Sequence, residues 1–186
     1  MFLSVFVRGE WRYGEGPDDA SRLIAEVMEG LRGEEDDTAG SYFPGEDAWF
    51  CLADQRKTES ESIAGCNLRV AVNRHHGHGA LVWFVDERYP KEGGIYDSVW
   101  ISDNPDPIGF DPRIVSDPGY PLFHDPSSAL PVSKIQAAVE EFCRMNSGDR
   151  PGCVDWVTGH VNGQRLDRPS IVEFVEDPEI DWDSLR

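Results

Sequence analysis

Apolar and polar positions along the first part of the chain predict a strand followed by a helix. Residues 1–8 are rich in β-branched and aromatic side chains, which is typical of a strand, and residues 11–16 predict a turn. From Pro17 to Leu31, apolar residues return every three or four positions, as they do along the buried face of a helix. The Arg32–Gly33 pair then predicts the end of this helix.

The middle of the chain predicts four more strands. Residues 48–53 are mostly apolar and follow an acidic stretch, 34–45, that predicts a loop. Residues 67–73 alternate between apolar and polar or small side chains, which predicts a strand with one face in water. Residues 80–85 are almost all apolar and predict a central strand that forms a β-hairpin with the strand before it. A short strand at 98–101 completes the group.

The last third predicts a long crossing segment, a second helix and a final strand. Residues 103–131 contain seven prolines, which donate no backbone hydrogen bond, so this segment is predicted to cross over the fold. A capping-box pattern at 133–136 predicts the start of a helix, and 146–148 predicts its end. Alternation over 153–161 predicts the last strand.

The predicted order is β-α-β-β-β-β-α-β, which indicates the α+β class. We expect a single domain over residues 1–162, with a mainly antiparallel sheet of about five to six strands and two main helices on one face. Residues 163–186 are polar and acidic and predict a C-terminal extension. The chain of 186 residues is 39% hydrophobic, which is sufficient for one core.

Charge excludes some partners. Asp and Glu number 35 against 17 Lys and Arg, a net charge of −18. Such a surface repels nucleic acid and anionic membranes and attracts basic protein clefts, although acidity can also serve solubility alone. Apolar stretches fall short of the roughly 20 residues of a membrane span. Because the start carries no secretory signal pattern either, we predict a soluble, cytoplasmic protein that binds neither nucleic acid nor a membrane directly.

Histidines offer the first candidate chemistry. His75, His76 and His78 could hold a transition metal, with His124 or His160 as a further ligand. The spacing matches no established metal motif, however, and neighbouring side chains of a strand point to opposite sides. A solvated turn explains the cluster better, so we predict no metal.

Motifs for covalent catalysis and phosphate binding are missing from the sequence, so we predict no enzymatic activity and no cofactor. Carboxylate pairs such as Asp86–Glu87 are expected on any surface this acidic. The cysteines show no CxxC pairing and are predicted to be buried free thiols. They are Cys51, Cys66, Cys143 and Cys153. Among the six tryptophans, Trp49 and Trp100 are the ones we expect to be more exposed, as possible interface anchors.

Two segments near the C-terminus, 130–142 and 148–156, carry an ordered set of motif positions. The set has a Leu-Pro pair, a helix ending in Glu-Phe, a Gly-containing turn, an Arg-Pro pair and a strand with Trp. In this chain the positions are Leu130, Pro131, Glu141, Phe142, Arg150, Pro151 and Trp156. This set resembles a family of bacterial immunity proteins that accompany polymorphic toxins, notably cytidine deaminases acting on double-stranded DNA. The likeness covers roughly residues 66–160, including 79–83 and 102–105.

The resemblance implies a protein that binds and neutralises a toxin by covering its basic substrate cleft. Its motif positions suit a helix start, a core and a turn, so we expect them to define the fold and not the contact surface. Charge and expected exposure indicate the contact residues instead. These candidates are Asp86, Glu87, Asp103, Asp106, Asp111 and Asp117. The alternatives are an acidic binding domain for a different toxin or partner, and a small metal-dependent enzyme that uses His75, His76 and His78.

Overall fold

A computed structural model describes residues 1–32, 46–59, 65–86, 99–117 and 122–169. The strands in these ranges are β1 (Phe2–Val7), β2 (Glu10–Gly14), β3 (Glu46–Ala53), β4 (Cys66–Asn73), β5 (His78–Val85), β6 (Val99–Asp103), β7 (Val115–Asp117), β8 (Leu122–Phe123), β9 (Leu130–Pro131) and β10 (Asp155–Thr158). The helices are α1 (Pro17–Arg32), α2 (Val132–Met145) and a 3₁₀ helix, Pro126–Ser128. None of these helices is long and apolar enough to cross a membrane.

Eight strands form one antiparallel sheet in the order β10-β6-β5-β4-β3-β1-β2, with β9 also paired to β5. Strands β7 and β8 pair separately. The predicted α+β class with an antiparallel sheet and two main helices is therefore confirmed, as is the hairpin of β4 and β5. Strands β2, β7, β8 and β9 were not predicted from the sequence.

Strand β2 occupies the stretch that was predicted to be a turn. The turn lies earlier, at Arg8 and Gly9, whose φ angles of 53° and 80° are both left-handed. Two left-handed residues are what a tight two-residue hairpin requires. Val7 therefore pairs with Glu10, and the chain returns along β1 as a strand.

Both helices pack on one face of the sheet. Helix α1 buries an apolar stripe from Leu23 to Leu31, and α2 buries one from Ile135 to Phe142. These stripes share one core with alternate residues of the central strands, including the fully buried Phe50. The 3.6-residue periodicity of the sequence thus identified the core-facing side of each helix correctly.

The start of α2 differs from the prediction. Pro131 is the N-cap residue, and no side chain caps this end of the helix. Because the helix begins at Val132, Ser133 already lies inside its first turn, where its hydroxyl cannot cap the free amides. The capping-box prediction is therefore wrong, whereas the predicted end is confirmed: Asn146 adopts the left-handed conformation, φ 49°.

The second face of β4 is buried, which contradicts the prediction that it lies in water. Its side chains, Asn67, Arg69, Ala71 and Asn73, are 2–5% exposed. The Pro-rich crossing segment covers Arg69, Ala71 and Asn73, whereas Asn67 lies against Lys57, whose Nζ donates to Asn67 Oδ1 at 3.2 Å. Asn73 Nδ2 donates to the Pro112 carbonyl at 2.8 Å, and Ala71 packs with Ile114. The alternation indicated a strand correctly, but it does not reveal which segment covers the polar face of that strand.

Residues 163–169 are held against the sheet. Arg165 forms a bridge with Gly159, and its side chain is only 3% exposed. Its guanidinium pairs with Asp103 at 2.7 Å and with Asp167 at 2.8 Å. The predicted C-terminal extension therefore begins with residues that contact Asp103, the last residue of β6, while its remainder, 170–186, lies outside the described residues.

Candidate interaction surface

An open cleft of about 940 Å³ lies on the face of the sheet opposite the helices. It begins where the crossing segment stops covering this face, so the strands β1, β2 and β3 form its floor. We call it the aromatic cleft. Its lining residues are Phe6, Arg8, Gly9, Trp11, Glu46, Asp47, Trp49, Arg69, Ala71, Val72, Val115, Asp117, Val161 and Asn162.

Three half-buried aromatic side chains form the floor of the cleft. Phe6 is paired with Trp11 on β2 and with Trp49 on β3, so the three stand side by side across the sheet. The rings of Phe6 and Trp11 are 5.2 Å apart. Of these, only Trp49 was named from the sequence. Trp11 was missed because its stretch was assigned to a turn, although its alternation with Arg12 and Tyr13 was an available signal.

Trp49 is fixed by its neighbours. Its indole Nε1 donates to Asp47 Oδ2 at 3.1 Å, and its ring meets Phe84 edge-on at 5.6 Å. The guanidinium of Arg69 lies 5.5 Å from the same ring. An indole with contacts on several sides has little rotamer freedom left to lose when a partner binds.

Arg69 connects the floor of the cleft to its wall. It is 5% exposed, and its Nε donates to Asp47 Oδ2 at 2.8 Å. Its other end donates to the carbonyl of Ser116 on β7. Arg69 thus joins β3, β4 and the crossing segment, and the carboxylate of Asp47 compensates the charge of its buried guanidinium.

Polar groups line the rim. Arg8 pairs with Glu46 at 2.9 Å, and Arg74 approaches the same carboxylate at 3.7 Å. Across the cleft, the wall exposes Val161, which is 40% accessible, next to Asn162. The guanidiniums of the lining are therefore each paired with a carboxylate.

A buried histidine supports the wall from behind. His124 is 3% exposed, and its amide donates to the Ile114 carbonyl at 2.8 Å. Burial, reinforced by the positive charge of Arg69, lowers the pKa of His124 to about 3, while the Gly163 backbone acts in the opposite direction. A Cβ at Gly163 would lie 2.6 Å from His124 Cε1, so the close packing requires glycine there.

The motif positions near the C-terminus shape a turn and fill the core. Glu141 accepts the amides of Gly152 and Cys153 at 3.0 and 3.1 Å, and hydrogen bonds from these two residues lower the pKa of its carboxyl. Phe142 is fully buried. These contacts agree with the interpretation that the motif defines the fold.

Arg150 stacks between two tryptophans of neighbouring strands. Its guanidinium lies 3.8 Å from the centre of the Trp100 ring and 5.9 Å from that of Trp156. Trp156 also donates its Nε1 to the Pro151 carbonyl at 2.8 Å. The Arg-Pro pair and the tryptophan of the motif therefore form one structural unit that holds the 150–153 turn against β6 and β10.

The six acidic residues proposed as contacts do not form a single patch. Asp86 follows the last residue of β5 and pairs with Lys57 at 3.2 Å. Asp106 and Asp111 are exposed near the other end of β5, which is about 25 Å long. Asp103 is paired with the buried Arg165. Asp117 lines the aromatic cleft, and Glu87 lies outside the described residues.

The histidine cluster is a turn packed against an aromatic ring. His76 and His78 lie 5.5 and 5.8 Å from the ring centre of Phe110, and His78 Nδ1 is 2.6 Å from the His76 carbonyl. In the part of the chain that the structure describes, no group of three or more His, Cys, Asp or Glu side chains is placed to hold a metal ion.

All four cysteines are free thiols, as predicted. Cys51 and Cys66 are buried as predicted, Cys143 is only half-buried, and Cys153 is exposed, so the predicted burial of Cys153 is wrong. It lies in the turn before β10, where its amide is held by Glu141. Burial raises the pKa of Cys51 and of Cys143 to about 12, which keeps both thiols protonated and unreactive.

Residues 8–158 match the family model described as immunity protein Imm1. The match covers both α-helices and every described strand except β1. Comparisons with curated proteins and with solved structures give no match. A family of immunity proteins implies a toxin as the partner and suggests a role without catalysis. Since the model matches 151 of the 186 residues, from 8 to 158 inclusive, this chain belongs to the Imm1 family of immunity proteins.

Proposed function

We propose that this immunity protein neutralises a toxin that deaminates cytosine in double-stranded DNA, and that it does so by covering the basic substrate cleft of the toxin. The observation that carries this proposal is the net charge of −18 on a member of an immunity-protein family. The deaminase specificity is further supported by the motif set that ends in Arg150, Pro151 and Trp156.

Charge explains how an acidic protein would exclude DNA. An enzyme that acts on DNA holds the phosphate backbone through Lys and Arg side chains. Carboxylates that occupy this cleft replace the phosphates, and the opposite charges of the two proteins accelerate their encounter. Occlusion needs no chemistry from the immunity protein.

The exposed part of the crossing segment is our proposed contact region. Asp106 and Asp111 are exposed there, and Asp111 Oδ1 accepts the Arg113 amide at 2.8 Å, which fixes the local turn. The proposed contact region also includes Asp86, Glu87, Asp103 and Asp117. We expect substitutions at these four positions to affect toxin binding less, and the side chains of Asp86, Asp103 and Asp117 are half-buried.

A titration tests the function. The toxin domain encoded by the adjacent gene is assayed for cytosine deamination in double-stranded DNA, and this protein is added in increasing amounts. We expect activity to disappear at a one-to-one ratio. A stable complex that retains full deaminase activity would contradict occlusion, and a toxin domain without deaminase activity would refute the proposed toxin class.

Charge changes in the crossing segment should slow binding. We expect the double variant Asp106→Lys/Asp111→Asn to associate with the toxin domain about tenfold more slowly at low salt, because electrostatic steering is reduced. The difference should vanish near about 1 M salt, where the screening length falls to about 3 Å. Stopped-flow fluorescence or surface plasmon resonance measures both rates.

The matched control changes the net charge equally on the helical face. Glu29→Lys/Glu140→Gln also raises the charge by three, and both residues are exposed on the helices. This variant should associate nearly as fast as the wild type. Equal slowing by both double variants would mean that net charge acts without a localised contact, and no slowing by either would place the interface elsewhere.

A further inference from the structure

We propose that the aromatic cleft is the anchoring site for the toxin, where it receives an apolar side chain that projects from a basic protein surface. This inference rests on the proposed function only in taking a toxin as the partner. It holds for any toxin class.

The chemistry of the cleft fits an anchor. Phe6, Trp11 and Trp49 are half-buried side by side, and their rings remain accessible from the cleft. Interface residues that contribute most of the binding energy are enriched in Trp and lie in pockets from which water is excluded. A volume of about 940 Å³ is large enough for one or two large side chains of a partner, together with their flanking backbone.

The floor of the cleft is also preorganised. Trp49 is fixed by Asp47 and by the edge of Phe84, while Phe6 and Trp11 are paired residues of a tight hairpin. Rigid aromatic side chains lose little conformational entropy when a partner covers them. A partner that inserts an apolar side chain here would therefore gain most of the free energy of burying it.

Charge selects among possible occupants. The cations of the lining, Arg8 and Arg69, are each paired with a carboxylate, so the cleft adds no positive field of its own. The chain as a whole has a net charge of −18, which attracts a partner with Lys or Arg around its inserted side chain. A second copy of this chain would have the same net charge of −18, so repulsion between the two copies disfavours it as the occupant.

Paired substitutions on one strand test the anchor. Phe6 and Phe2 stand on the same face of β1, but only Phe6 lines the cleft. Isothermal titration calorimetry with the toxin domain encoded by the adjacent gene should show about 30-fold weaker binding for Phe6→Ala, as expected of an interface hot spot. Phe2→Ala, which truncates a residue that is 47% exposed, should bind within about threefold of the wild type.

A second variant avoids any loss of core packing. Val161 is 40% exposed on the wall of the cleft, so Val161→Lys should leave the thermal unfolding midpoint unchanged. Because it places a cation against a basic partner, we expect it to weaken binding at least about tenfold.

The outcomes separate the two proposals. If the wild type binds and inhibits the toxin domain while Phe6→Ala and Val161→Lys bind equally well, the cleft is not the anchor and the proposed function stands. If the wild type neither binds nor inhibits the toxin domain, both proposals are overturned. A free protein that is dimeric, and becomes monomeric with Val161→Lys, would show that a second copy occupies the cleft and would overturn the anchor.

Discussion

Replacing Asp47 with alanine should lower the free energy of unfolding by about 3 kcal/mol. Its partner Arg69 has a side chain that is only 6% exposed, and removing the carboxylate takes away the counter-charge that lies 2.8 Å from this buried guanidinium. We expect the lower end of the range for buried pairs because Asp47 itself is 29% exposed. Denaturant unfolding followed by tryptophan fluorescence measures the change.

Two further variants show whether the buried charge is the cause. In the Asp47→Ala background, Arg69→Met removes the buried charge and keeps an unbranched side chain of similar length, so about 1 kcal/mol should be recovered. Glu26→Ala breaks the ion pair with Arg12, whose two side chains are 49% and 41% exposed, and should change stability by less than about 1 kcal/mol. A double variant no more stable than Asp47→Ala would show that lost hydrogen bonds, and not the charge, dominate.

The same pair matters for the interaction surface. Asp47 Oδ2 accepts from both Trp49 and Arg69, and Arg69 reaches the Ser116 carbonyl in the crossing segment. The ion pair thus fixes the floor of the aromatic cleft and ties its wall to the sheet. Stability and the geometry of the proposed anchor depend on one group of side chains.

The sequence predicted the elements whose periodicity extends over many residues. Helices α1 and α2 each have four or more apolar residues on one stripe, and the structure buries those stripes. The antiparallel hairpin of β4 and β5 was likewise visible, because an apolar strand follows an alternating one across a Gly-rich turn. These patterns depend on local geometry, which neighbouring residues encode.

What could not be predicted depends on contacts between distant segments. Alternation in β4 marks Arg69 and Asn73 as polar, but only the fold places the crossing segment over them. Strand β2 was missed because the Arg8–Gly9 turn lacks the usual Asn-Gly or Asp-Gly signal. The aromatic cleft combines β1, β2, β3 and the wall near Val161, so no single stretch of sequence contains its signal.

The stability of this protein should fall as the pH is lowered through the range in which histidine titrates. The pKa of His124 is lowered to about 3 in the folded state, against about 6.5 in an unfolded chain. Between these values the unfolded state binds a proton that the folded state does not, so acid favours unfolding by about 1.4 kcal/mol per pH unit. From about pH 6.5 to about pH 5, while most carboxylates stay ionised, the loss should approach 2 kcal/mol.

Variants at two histidines show whether His124 causes this pH dependence of stability. His124→Phe keeps a planar ring in the buried site but cannot bind a proton in either state, so its stability should change little between about pH 6.5 and about pH 5. His160→Gln, at an exposed position of the same region, should keep the wild-type slope. Urea unfolding at several pH values gives each slope. His124 supports the wall of the cleft, because its amide bonds to the Ile114 carbonyl and its ring experiences the charge of Arg69. If His124→Phe kept the wild-type pH dependence of stability, a buried group other than His124 would be responsible for it.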